Sequence, residues 1–228
     1  MIARGQLTSP FELLVAVVIM GFVILLGLQS MHQLCVSQYT AEVHQQLEAF
    51  KTALQDTVAQ RSTRSHHFNL PTYTCGGQIT VGVRLAGEKD SSKCADFCGV
   101  SKDTCWVLTY TAQSGSLLNP RAPGGDIREG LIRKCVVIDP SASFIEQSDA
   151  CTAGSSCPPG RCEDRKQASP GSDPSPAMEL VDLAHPPASP AGSQNYLIPP
   201  GYYEFVNRTS DLSLAPTICA YHRISSTG

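Results

Sequence analysis

Ten cysteines dominate the chemistry this chain can offer: Cys35, Cys75, Cys94, Cys98, Cys105, Cys135, Cys151, Cys157, Cys162 and Cys219. Thiols bind zinc, act as nucleophiles or oxidise to disulfides, and spacing helps to decide among these. The runs Cys94-x3-Cys98-x6-Cys105 and Cys151-x5-Cys157-x4-Cys162 lack the C-x2-C pairs of zinc ribbons. Ten cysteines in 228 residues are too many for a reducing cytosol without metal, so disulfides and export are expected. Nine of the ten follow residue 61, which leaves one over. Cys35 matches it only if the later part of the chain folds against that position. Otherwise Cys35 is a small buried helix residue and one other thiol stays free. Connectivity does not follow from spacing.

Other reactive side chains are sparse. His66-His67 is an adjacent pair that suits metal binding or, more simply, a solvated surface; His32 and His44 fit the polar face of a helix. Asn207-Arg208-Thr209 is an N-glycosylation sequon, whereas Pro120 excludes Asn119. No G-x-S-x-G, H-E-x-x-H, G-x-G-x-x-G or phosphate loop is present. The expectation is a protein with no catalytic residues, metal or cofactor. A net charge of −3 with 16% charged residues also argues against a nucleic-acid partner, and 42% apolar residues exclude a wholly disordered chain.

Residues 11–28 read FELLVAVVIMGFVILLGL, with Glu12 as the one charge. Such a run just spans a bilayer core of about 30 Å. No A-x-A cleavage pattern follows it, so the segment is expected to be retained. Arg4 precedes it, and no Lys or Arg occurs between Gln6 and Phe50, which orients the remainder outward. Beyond it, Leu28, Met31, Cys35, Tyr39, Val43, Leu47, Phe50 and Leu54 recur at steps of three and four. That stripe predicts one uninterrupted rod of roughly 50 residues and about 75 Å. Its apolar side must lie on its own head or on neighbouring rods. Ser9-Pro10-Phe11-Glu12 fits a capping box, with Ser9 as N-cap and Glu12 in the first turn.

Arg4-Gly5-Gln6, followed by Leu7-Thr8-Ser9 and the apolar block, resembles the class III signal peptide of type IV pilin-like precursors, particularly the archaeal branch. The resemblance covers about the first 30 residues, or 60 with the continuing helix. It implies cleavage between Gly5 and Gln6 by a prepilin peptidase-like enzyme, with the apolar helix kept as membrane anchor and then filament core. It further implies self-association as a homopolymer or mixed filament, and a place in the membrane before assembly and at the cell surface after it. The family's glutamate stands at the fifth mature position; here Pro10 is fifth and Glu12 seventh, so Glu12 remains either a helix cap or an assembly residue. Gly21 and Gly27 would permit close helix packing, and Tyr39, Val43 and Leu47 would face neighbouring rods or the head. The rival expectation is a membrane-anchored binding or adhesion protein that does not polymerise.

From residue 62 the pattern shortens. Residues 79–85 alternate as a half-buried strand should, and 106–110, 135–138, 202–206 and 218–221 are rich in β-branched and aromatic residues. Ten of sixteen prolines fall between Cys157 and Pro200, which reads as an extended surface loop, with 178–183 as a short helical turn. The expected fold is α+β: a long N-terminal helix packed on a small, disulfide-bonded antiparallel β-sheet head. The expected segments are a leader at 1–5, the helix at 6–61 with its apolar core at 11–28, and the head at 62–228 with a proline-rich loop at 157–200.

Overall fold

A single helix, α1 (Ser9–Ala59), runs for 51 residues without a break. The computed structural model describes residues 9–75, 78–99, 104–115, 132–139, 141–145, 149–152, 157–158, 160–165, 178–183, 198–209 and 215–223. Helix formation follows from the absence of proline after position 10 and the run of straight-chain and aliphatic residues. The helix ends where Gln60 N–H donates to the Asp56 carbonyl at 2.9 Å and Arg61 takes a left-handed φ of 49°.

The strands form two sheets. In the first, β1 (Arg64–Phe68), β7 (Gly201–Asn207) and β8 (Thr217–Arg223) are antiparallel neighbours. Along the free side of β8 lie two short strands, β5 (Ser143–Phe144), parallel to it, and β6 (Glu179–Leu180), antiparallel. In the second, β2 (Gln78–Glu88), β3 (Cys105–Gly115) and β4 (Ile132–Val136) form an antiparallel meander. A second helix, α2 (Ser91–Cys98), links β2 to β3. The Asp90 carboxylate caps its first turn through Ser92 N–H, and Gly99, at φ 65°, closes its last.

The α+β fold with its long helix packed on a disulfide-bonded head is therefore as expected, with two departures. One antiparallel sheet was expected; there are two, and the first is mixed. Residues 178–183, expected as a helical turn, instead hold the edge strand β6. Leu180 on that strand is buried and packs with Cys219 and Tyr221 of β8, and pairing with β8 also satisfies the backbone groups that a single turn would leave open.

The main core lies where α1 meets both sheets. Tyr39, Val43, Leu47, Phe50 and Leu54 fill it from the helix, against Val83, Leu85, Leu108 and Tyr110 from one sheet and Phe68, Tyr203, Phe205 and Ile218 from the other. Phe50 is the hub. Its ring meets Phe68, Tyr203 and Phe205 edge-on at centroid distances of 5.2, 5.4 and 5.2 Å. Each such pair adds about 0.5–1.5 kcal/mol beyond area burial. Alternate residues of β7 and β8 point the other way: Val206, Cys219 and Tyr221 form a second, smaller cluster with Cys162, Met178 and Leu180.

Candidate functional site

The apolar run of α1, residues 11–28, is exposed along its whole length. Phe11, Leu14, Val18, Phe22, Leu25 and Leu28 are all exposed, with fractions from 60% to 70%. A helix apolar all round is stable only when something apolar surrounds it. This helix is long and apolar enough to cross a membrane. Glu12 stands exposed in its first turn, and Ser9, expected just before the helix, is its first residue. A carboxylate there complements the positive end of the helix dipole. Gly5 and Gln6, the expected cleavage site, lie outside the described residues. At Gly21 and Gly27 an added Cβ would meet no atom within 4 Å, so nothing within one chain requires glycine at either position.

The expected stripe divides. Leu28 and Met31 are exposed, whereas Tyr39, Val43 and Leu47 are buried in the head of the same chain. Those three side chains are thus not free to contact neighbouring rods. Tyr110 donates its hydroxyl to the Tyr39 hydroxyl at 3.0 Å, and Tyr73 meets the Tyr39 ring edge-on. Burial raises the pKa of both hydroxyls in this pair. Glu48 bonds Lys51 at 2.6 Å and Lys134 of β4 at 3.2 Å, so the polar side of α1 is also pinned to the head. The hydrogen bond from Lys51 is the main cause of the lowered Glu48 pKa. These groups line an open groove of about 1080 Å³ between α1, β1 and β4.

All ten cysteines are bonded. The pairs are Cys35–Cys75, Cys94–Cys105, Cys98–Cys135, Cys151–Cys157 and Cys162–Cys219. The leftover head thiol thus finds its partner on α1. Five bridges in one chain indicate an oxidising, extracytoplasmic environment. Two of them fasten α2: Cys94 and Cys98, one turn apart on one helix face, reach β3 and β4. That helix was missed in sequence, although Asp90, Gly99 and the i, i+4 cysteines all signal it.

Three other expectations change in detail. His66 and His67 lie on β1; His67 is exposed, as a solvated pair would be, but His66 is half-buried with its ring 6.1 Å from Phe50. His32 does more than decorate a polar face, since its Nδ1 donates to the Cys75 carbonyl at 2.9 Å. Asn207 points its amide nitrogen at the end of α1, donating to the carbonyls of Thr57 at 3.2 Å and Val58 at 3.4 Å. Its oxygen accepts from Thr209 N–H at 2.9 Å and from the Thr209 hydroxyl. The atom a glycan would occupy therefore already serves two carbonyls that the helix itself leaves unpaired. In the fold the Asn207 side chain caps the end of α1.

No family model, curated protein or solved structure matches the chain.

Proposed function

We propose that this chain is a structural subunit of a type IV pilus-like filament at the cell surface, with no catalytic role. A prepilin peptidase-like enzyme would cut between Gly5 and Gln6 while α1 holds the protein in the membrane. Copies would then associate through the apolar half of α1, leaving the heads outside.

One observation carries this reading: α1 changes character along its length. From Tyr39 to Leu54 its apolar side chains are used up inside the head, while residues 11–31 project bare. That projection is about 32 Å at 1.5 Å per residue. Lipid satisfies such a segment before assembly, and copies of the same helix satisfy it afterwards. Lipid is as apolar as the helix, so close packing at small residues must favour the assembled state. Gly21 and Gly27, which serve no contact within one chain, are the positions available for it.

The same projection also favours a second reading, an anchored binding protein that stays monomeric, because the amphipathic stripe is consumed by its own head. The intact mass of the chain recovered from sheared cell-surface material separates the two. The filament reading requires a mature terminus at Gln6 in that fraction. An uncut Met1 terminus there, or retention of the whole chain in the membrane fraction, would favour the anchor.

A further inference from the structure

The outer face of the β2–β3–β4 sheet, turned away from the core, carries a row of three cross-strand partners. Arg84 on β2 is opposite Thr109 on β3, and Thr109 is opposite Arg133 on β4. Directly paired residues share a face, so both guanidinium groups rise from one side of the sheet about 10 Å apart at their bases, two strand spacings. Between them runs a groove of about 500 Å³, floored by the small residues Gly82, Ala86 and Thr111. One wall is α2, which the Cys94–Cys105 and Cys98–Cys135 bridges lock to the sheet. The groove is therefore preformed.

Its charge is unbalanced. Neither arginine has a carboxylate partner among the described residues; the third cation, Lys93, is held by Glu88 at 3.5 Å. Arg133 lies over the Phe97 ring at 4.3 Å from its centroid, an apolar platform that fixes the guanidinium plane without neutralising it. Unpaired arginines are suited to bidentate capture of carboxylate or sulfate groups, and Arg133 is already oriented by the ring beneath it.

We propose that this groove binds an acidic polysaccharide, with Arg84 and Arg133 each taking one anionic group of the chain. A wide spacing between the two cations suits a polymer bearing acid groups on spaced sugars. The small side chains Gly82, Ala86 and Thr111 leave room for sugar rings to lie along the sheet beside the two arginines. The site lies on the head, so it functions identically in an anchored monomer and in a filament, and its test is independent of polymerisation.

The test uses the full disulfide-bonded chain in detergent, titrated calorimetrically with oligogalacturonate, with neutral dextran and with polyglutamate. Oligogalacturonate should bind, with affinity falling as salt rises; dextran and polyglutamate should not. The R84E/R133E double variant should weaken oligogalacturonate binding by about tenfold or more, while R61E/R161E, an equal charge change at two exposed positions outside the groove, leaves it unchanged. The single variant R84Q, which keeps the sheet surface polar, should show a smaller loss and guards against a misfolded double variant. Absence of oligogalacturonate binding, equal binding by R84Q and wild type, or equal binding of polyglutamate would each overturn the proposal. The last outcome would point to an acidic peptide partner instead.

Discussion

Cys35 of α1 is bonded to Cys75, with Cα atoms 5.6 Å apart, four residues before Tyr39 begins the buried stripe. The bridge thus marks the boundary between the part of the helix that belongs to the head and the part that projects. It closes a loop of 40 residues, for which the chain-entropy model gives about 4 kcal/mol of stabilisation. Replacing both cysteines by serine should lower stability by about 2–4 kcal/mol. The head should nevertheless stay on the helix, because the Tyr39–Leu54 packing remains. Thermal unfolding followed by near-ultraviolet circular dichroism checks both parts. A head that detaches at ambient temperature would mean that the bridge, and not the Phe50 cluster, holds the two together.

Asn207 supplies the second prediction. Asn207→Ala removes two donors from the last turn of α1 and should cost about 1–2 kcal/mol. Asn207→Asp is nearly isosteric, yet it sets a negative charge against the negative end of the helix dipole and should be at least as harmful. Denaturant unfolding of the two variants measures this. Peptide mass mapping should find Asn207 unmodified; a fully occupied glycan there would contradict the cap.

The third concerns pH. Burial is the main cause of the lowered pKa of both His66 and His222; His67 adds to it for the first, whereas the Pro200 carbonyl and Glu179 oppose it for the second. The folded protein therefore binds fewer protons at these sites than the unfolded chain, whose histidines titrate near 6.5. Their contribution is fully present above that value and is lost as pH falls through it toward the folded pKa values. Stability should thus decline as pH falls through about 6.5, and His66→Gln with His222→Gln should flatten that slope. Equal slopes in the wild type and the double variant would refute the assignment.

Much of this architecture was legible where one physical pattern dominates. The uninterrupted apolar and amphipathic periodicity of residues 11–54 predicts α1 nearly to its last residue, and the alternation at 79–85 predicts β2. The strand β1 was not legible: Arg64-Ser65-His66-His67-Phe68 is polar, and only its pairing with β7 makes it extended. The edge strand β6 was misread because two residues have no period of their own. The Arg84–Thr109–Arg133 row was invisible for a deeper reason, since it depends on the register of three strands. Likewise, the cysteine count implied an oxidised head, but only the fold joins position 35 to position 75.

The central claim is that copies of α1 pack closely along its bare half, and Gly21→Leu tests it most directly. Within one chain an added Cβ meets no atom within 4 Å and leucine is a better helix former than glycine, so insertion and disulfide formation should be undisturbed. Between packed helices the added side chain forces the backbones apart. The measurement is electron microscopy, with antibody labelling of the head, of sheared surface material from cells expressing either form. The account predicts labelled filaments from the wild type and none from Gly21→Leu, with equal amounts of both proteins in the membrane. Wild-type material without labelled filaments, or filaments equally abundant in the variant, would contradict it.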